Sequence, residues 1–330
     1  MRVSLKNIIV PSIPLAALLV IACCGLWMSA FWGARLTMSP DQSTTLVKEL
    51  QTILVPNTLL SNIIGFAFTL LNAFLLAQIN NRFTIIRTRT FLPILIFLIL
   101  LSSWNDTHIV NGSHLSLTLF ILSLYYFFSM ARNRNASEPA FMGSFLISVS
   151  SILINPLIFI IPVCWIGFMM FQSFSLRTFL SSIFGTLSPW ILYLALRFIL
   201  NPNFDFVHAF VINPSIDLSF STWSLLNLIY GGLISLIIII SIAGLYSMTH
   251  GDAINTRNKL NFLVLLLFSL FVLSFIFINQ YISFLPIIAL VYALLISHPL
   301  TLKQNNFYGI LFWVFCAINI AYVISKYILT

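Results

Sequence analysis

Ten ionisable side chains lie in the connections between apolar segments or near their ends, and all ten fall on one side when those segments alternate across a membrane. They are Arg35, Asp41, Glu49, Asp106, His108, His114, Arg197, Asp205, His208 and Asp217. Carboxylates in such positions can act as general bases or bind divalent cations, imidazoles can transfer protons, and guanidinium groups can bind phosphates. The sequence has no Gly-rich phosphate loop, HExxH motif, Ser nucleophile elbow or spaced Cys/His zinc pattern. This outer set therefore holds the candidates for chemistry.

Asp41 is the candidate catalytic residue. It follows Ser39-Pro40, a pair typical of a helix start, and the surrounding 32–56 segment is predicted to carry a short amphipathic helix on the outer interface. A carboxylate there can take a proton from a sugar hydroxyl or hold a divalent cation. The alternative is a helix-start residue that the helix dipole favours. Arg35, in the same segment, is a candidate substrate-binding residue.

Arg197 stands near the end of the seventh apolar segment, where a charge is costly unless it meets a partner or a polar cavity. Its guanidinium is predicted to bind a lipid phosphate. The alternative is that the side chain only reaches the outer headgroups, which requires no function.

Two outer connections supply the remaining candidates. Asp106 and His108 lie in a short connection that is interpreted either as a ligand or proton-transfer site or as a polar turn. Asp205 and His208 lie in the longer connection 201–223. None of these residues shows recognisable metal-ligand spacing, so no metal site is predicted.

The elements that position these residues are membrane spans. The chain of 330 residues is 60% hydrophobic and only 7% charged. A helix needs about 17–25 apolar residues to cross the hydrocarbon layer, and backbone polar groups in lipid must be satisfied within the helix. The fold class is therefore all-α, a polytopic transmembrane helical bundle with about eleven spans. The predicted spans are 8–31, 57–79, 90–104, 115–131, 141–155, 157–174, 180–200, 224–248, 262–278, 281–297 and 307–326.

Basic residues give the predicted orientation, because short cytoplasmic loops are enriched in Lys and Arg. A cytoplasmic N-terminus places Arg2, Lys6, Arg82, Arg87, Arg89, Arg132, Arg134, Arg177, Arg257, Lys259 and Lys303 inside. Only Arg35, Lys48, Arg197 and Lys326 then lie outside. The formal charge of +8 is thus interpreted as a topology signal rather than as a sign of nucleic-acid binding. The predicted location is the bacterial inner membrane, with the lipid bilayer as a partner.

The long outer connection divides the chain into two predicted modules. Residues 1–200 form a seven-span module with the amphipathic first outer loop, and residues 201–330 comprise the outer loop and a four-span module.

The order of several short motifs resembles an uncharacterised family of multi-pass inner-membrane proteins from Bacteroidota. The motifs are Asn80-Asn81-Arg82, Thr90-Phe91-Leu92-Pro93, Arg132-Asn133-Arg134 and the stretch from Asn279 to Pro286. That family carries no established activity, so the resemblance assigns no catalytic residues.

More remotely, the order of elements is similar to that of the C-type (GT-C) membrane glycosyltransferases. The shared features are an inside N-terminus, a long first outer loop with an acidic residue and amphipathic helices, and short-armed hairpins. The resemblance implies a polyprenyl-phosphate-linked sugar donor at the outer face, with Asp41 as the acidic residue of the first outer loop. The chain departs from this pattern because Gln42 follows Asp41 where many members have a second acidic residue.

Three functions are compatible with the sequence. A lipid-linked sugar transferase of the outer leaflet would use Asp41 as base or cation ligand and Arg197 as phosphate ligand. A non-enzymatic partner or assembly factor of a cell-envelope complex would tolerate single polar changes on the outer face. A transporter or flippase would depend on polar groups within spans, such as Asn72 and Asn227.

Overall fold

The computed structural model describes residues 21, 23–25, 27, 58–88, 90–104, 107–108, 110–133, 135–200, 225–248, 251–302 and 306–329. From residue 58 onwards these ranges contain α-helices, two 3-10 helices and no strand. The α-helices are α1 (Thr58–Phe83), α2 (Leu92–Ser103), α3 (Gly112–Ser129), α4 (Ser137–Leu153), α5 (Ile161–Met170), α6 (Leu176–Leu200), α7 (Leu225–Tyr246), α8 (Ile254–Ile276), α9 (Tyr281–Leu302) and α10 (Asn306–Leu329). The 3-10 helices are Asn155–Ile160, between α4 and α5, and Ile278–Gln280, between α8 and α9.

The predicted class, a multi-pass helical membrane protein, is confirmed. Within the described ranges, seven helices are long and apolar enough to cross a membrane: α1, α3, α6, α7, α8, α9 and α10. Three further apolar segments, α2, α4 and Asn155–Met170, are shorter than a full span. The first predicted span, 8–31, lies largely outside the described residues, so the total of about eleven stays a prediction.

The helices alternate between two ends of the bundle, which we name the basic end and the aromatic end. At the basic end, the backbone N–H of Arg132 donates to the carbonyl of Phe171 at 3.0 Å, which joins two connections that were predicted to lie on the same side. The described basic residues of this end are Arg82, Arg87, Arg132, Arg177, Arg257 and Lys259. At the aromatic end lie Arg197 and Lys326, the last basic residues of α6 and α10.

Helix α8 begins at Ile254, eight residues before the predicted start of its span at 262. The sequence shows a polar stretch here, but two of its side chains bind the open carbonyls of other helix ends. Lys259 donates through Nζ to the carbonyl of Phe83 at 3.1 Å, and Asn258 donates through Nδ2 to the carbonyl of Met170 at 2.7 Å. Phe83 and Met170 are the last residues of α1 and α5, whose final carbonyls have no partner within their helices. These bonds allow the polar turn to continue the helix.

Helix α9 is central and α6 is peripheral. In α9, 83% of the most apolar stretch is buried, compared with 17% in α6. Helix α9 packs against α2, α3, α7, α8 and α10, whereas α6 packs mainly against α4. One continuous hydrophobic core extends from Cys23 to Phe315 and crosses the boundary between the two predicted modules.

The described part of the first predicted span reaches the aromatic end. Trp27 donates through Nε1 to Ser102 Oγ at 3.0 Å, and its ring lies 4.2 Å from the ring of His108. Because α2 ends at Ser103, this contact places Trp27 beside the connection between α2 and α3.

Candidate functional site

A cavity of about 420 Å³ lies between α2, α7, α8 and α9. It extends along α9 from Tyr281 to Tyr292, which corresponds to about 16 Å at the helical rise per residue. It therefore reaches roughly half-way through a hydrocarbon layer of about 30 Å. Its wall is mostly apolar, with Leu101, Ile234 and other aliphatic or aromatic side chains, and its volume lies within the usual range of ligand pockets.

A pair of glycines in α7 makes room for the cavity. Gly231 and Gly232 both line it, and a Cβ atom added to either would meet no heavy atom within 4 Å. Gly232 and Phe275 line the cavity and are also exposed. Helix α7 packs on α9 and α10 and helix α8 packs on α9 and α5, but α7 and α8 share no extensive interface. Among the described residues, the cavity is therefore open on the side between α7 and α8.

A buried network of polar side chains holds one wall of the cavity in place. Asn319 of α10 accepts through Oδ1 from Tyr230 Oη at 2.8 Å and from Ser103 Oγ at 3.0 Å. Its Nδ2 donates to the carbonyl of Phe315 at 2.8 Å. One amide thus connects α2, α7 and α10, and buried polar groups of this kind are costly unless every member is satisfied.

The part of the cavity that lies at the aromatic end, which we call its mouth, contacts an aromatic cluster composed of Trp104, Tyr230, Tyr281 and Tyr322, of which Trp104, Tyr230 and Tyr322 are buried. The Trp104 ring lies 5.6 Å from Tyr230, 6.5 Å from Tyr281 and 5.7 Å from Tyr322, and the rings of Tyr230 and Tyr322 stack at 4.0 Å. Tyr322 Oη also donates to Asn227 Oδ1 at 3.0 Å. Amphipathic rings of this type favour the boundary between hydrocarbon and headgroups.

Lys326 places a positive charge beside this cluster. Its Nζ lies 5.6 Å from the centre of the Trp104 ring and 5.2 Å from that of Tyr322, within the range of cation–π attraction. The mouth therefore combines an apolar chamber, aromatic rings and an ammonium group. This combination suits a ligand with a long hydrocarbon chain and an anionic headgroup.

The connection between α2 and α3, predicted as a candidate site, borders this mouth. Trp104 and Thr107 line the cavity, and Thr107 Oγ1 donates to the carbonyl of Leu101 at 2.6 Å. His108 is fully buried, and its Nε2 lies 3.1 Å from the carbonyl oxygen of Ser102. Burial lowers the pKa of His108 to about 4 against the opposing effect of its bond to Ser102, so the ring is uncharged at neutral pH. His108 is thus a neutral ring close to the mouth, and its position is fixed by burial and by the contact with the Ser102 carbonyl.

Arg197 occupies a different part of the aromatic end. Its guanidinium lies 5.7 Å from the ring of Tyr193, one turn earlier in α6, and large exposed apolar side chains such as Leu196 and Phe198 surround it in the sequence. Arg197 does not line the cavity. The structure therefore places the predicted phosphate ligand and the cavity on different helices.

The remaining predicted residues, Arg35, Asp41, Asp106, Asp205 and His208, lie outside the described residues. Their predicted roles, and the predicted amphipathic helix in 32–56, stay predictions. Within the described ranges, no group of three or more His, Cys, Asp or Glu residues could hold a metal ion.

Of the residues that line the cavity, sequence reasoning singled out Asn227 and missed the glycines and most of the apolar wall. A Gly-Gly pair within the apolar segment 224–248 indicates missing side-chain volume, and Asn319 within the last span indicates a buried hydrogen-bond network. Neither signal shows which helices face each other. Comparison with family models, with curated proteins and with solved structures finds no match.

Proposed function

We propose that this chain is an inner-membrane protein that takes a polyprenyl-phosphate-linked sugar from the outer leaflet and acts as a GT-C-like glycosyltransferase. The observation that supports the proposal best is the laterally open apolar cavity between α7 and α8, whose mouth carries an aromatic cluster and Lys326. A hydrocarbon chain can enter such a cavity from the bilayer without leaving apolar surroundings.

The shape of the cavity favours a bound lipid over a transported solute. Its lining is mostly apolar, and the lining residues of α9 end at Tyr292, before the basic end is reached. Tyr292 also donates through Oη to the carbonyl of Ile234 at 3.1 Å, which satisfies the polar group at the deep end. A transport path would need polar or ionisable groups along the whole span.

The headgroup would then lie at the aromatic end. This end would face the outside, because basic connections such as those at the other end favour the cytoplasmic side. Lys326 supplies a cation there, whereas the hydroxyls of Tyr230 and Tyr322 already donate to Asn319 and Asn227. Asp41 would remove the proton of the acceptor hydroxyl, or hold a divalent cation, while the acceptor oxygen bonds to the anomeric carbon of the sugar and the polyprenyl phosphate anion leaves that carbon. Protein partners are not needed for this scheme.

Photolabelling tests the lipid part of the proposal. We expect a photoreactive polyprenyl phosphate, added to the protein in nanodiscs, to label peptides of α7 and α8 saturably. An excess of unlabelled polyprenyl phosphate should remove this label, while polyprenol without phosphate should compete less well because it lacks the charge that Lys326 attracts. Equal competition by phosphatidylglycerol would mean that ordinary lipids fill the cavity, and the transferase proposal would lose its main support.

Complementation of a deletion strain tests the chemical part. We expect Asp41→Asn to abolish the function while the protein accumulates normally, because an amide cannot act as a base. Arg197→Gln should weaken function only if this guanidinium binds the phosphate. Protein levels and cell-envelope glycans are measured in parallel. Full complementation by both variants would remove them from the proposed site and would favour the non-enzymatic partner hypothesis.

A further inference from the structure

A second cluster of ionisable groups lies at the basic end, and neither the cavity nor the proposed chemistry uses it. Asp252, in the connection between α7 and α8, has a fully buried side chain. Its Oδ1 lies 2.6 Å from Nε of Arg87, and its Oδ2 lies 3.4 Å from Nε2 of His298. Three separate segments therefore meet at one carboxylate: the connection after α1, the connection before α8 and the last turns of α9.

The two basic side chains of this cluster differ in exposure. The side chain of Arg87 is 43% exposed, whereas that of His298 is fully buried. Neither ring nitrogen of His298 has a hydrogen-bond partner among the described residues apart from its approach to Asp252. The neighbouring Gly251 is exposed, and a Cβ added to it would lie 3.3 Å from Nη2 of Arg87. Water thus reaches the cluster from the side of Arg87.

Other charged groups of the basic end have their own contacts. Lys259 of α8 is bonded to the carbonyl of Phe83, and the Arg82 guanidinium lies 4.8 Å from the ring of Tyr125. Arg257 lies one helical turn after the α8 start. Arg89, His250 and Lys303 are close in sequence to the three segments and lie outside the described residues.

One added proton changes the balance of this cluster. With a neutral imidazole, the carboxylate of Asp252 attracts a single full positive charge, that of Arg87. If the proton binds to His298, two cations compete for one carboxylate and repel each other. Arg87 then loses attraction, and because it is the exposed partner it can move into solvent at little cost.

We propose that Arg87, Asp252 and His298 form a proton-binding site that acts as a latch, which fastens the 84–91 connection to the bundle at neutral pH and releases it on acidification. The proton is taken up by the imidazole of His298, which lies against the Asp252 carboxylate. The ligand of the site is the proton. The latch is independent of the proposed transferase function, since it lies at the opposite end of the bundle from the cavity mouth.

Hydrogen exchange of the full-length protein in nanodiscs, measured by mass spectrometry at pH 7.5 and 5.5, tests the latch. After correction for intrinsic exchange rates, we expect about fivefold lower protection of the 84–91 amides at the acidic pH, as for loss of one partly exposed ion pair. The 130–136 connection serves as an internal control, because it lies at the same end and contains no acidic residue or histidine. Its protection should not change.

Two variants separate a latch from a merely structural contact. His298→Gln keeps a donor toward Asp252 but cannot take up a proton, so protection of 84–91 should stay high at both pH values. Asp252→Asn removes the carboxylate, so protection should be low at both. A wild type without pH dependence, or a His298→Gln protein that keeps the wild-type pH dependence, would overturn the proposal.

Discussion

Replacing Gly231 by phenylalanine is expected to lower labelling of the protein by a photoreactive polyprenyl phosphate at least about tenfold, equivalent to about 1.4 kcal/mol of binding free energy. Gly231 lines the cavity of about 420 Å³, and a Cβ at this position would meet no heavy atom within 4 Å. The aromatic ring can therefore occupy the cavity without displacing backbone. The substitution should not destabilise helix α7, because glycine is a poorer helix former than phenylalanine, by up to about 1 kcal/mol.

A matched control on the same helix makes this result specific. Leu236→Phe also adds an aromatic ring to α7, but Leu236 is 54% exposed and does not line the cavity. We expect its labelling to equal that of the wild type, with both variants eluting as the same single species in detergent. If Gly231→Phe is labelled normally at saturating and at limiting probe, the hydrocarbon chain does not enter this cavity.

The largest expected effect on stability comes from Gly185→Val, at the contact of α6 with α4. A Cβ added to Gly185 would lie 2.5 Å from the carbonyl oxygen of Phe141, a backbone atom that cannot turn away. Valine should therefore force the helices apart, at a cost of about 3 kcal/mol or more in the free energy of unfolding. Separation would also break the bonds between Ser144 and Ser182 at 2.6 Å and between Ser148 and the Thr186 carbonyl at 2.6 Å.

We expect Gly185→Val to accumulate several-fold less than the wild type and to melt at a lower temperature in detergent, as measured on a fluorescent fusion. Ala195→Val provides the control, because it makes a similar small-to-large change at an exposed position of the same helix. It should behave like the wild type. Equal accumulation and melting of the two variants would show that α4 and α6 do not approach as closely as described.

The helical membrane class follows from local properties of the sequence. Each apolar segment, such as 224–248, has an unfavourable transfer free energy into water over its own length, so its helical state depends little on its neighbours. The grouping of basic connections at one end also follows locally, because each span reverses the chain direction. This is why Arg87, Arg132 and Arg177 were placed on one side from sequence, and why the contacts of the basic connections agree.

Helix ends were less predictable than helix centres. Helix α8 begins eight residues before the predicted span at 262, because Lys259 and Asn258 are polar and a local hydropathy scale excludes them from a span. Their bonds to the carbonyls of Phe83 and Met170 come from residues far away in sequence. A hydropathy pattern depends only on neighbouring residues, so it cannot include hydrogen bonds to carbonyls of distant helices.

The candidate sites belong almost entirely to the tertiary structure. The sequence by itself determined that this chain forms apolar helices in lipid and collects positive charge at one end, since both properties are sums over neighbouring residues. Only the packing of α7 and α8 around α9 turns Gly231 and Gly232 into an open cavity. Likewise, Arg87, Asp252 and His298 meet across more than two hundred positions of the chain. Their electrostatic interaction exists only when three separate segments are brought within ion-pairing distance of one carboxylate.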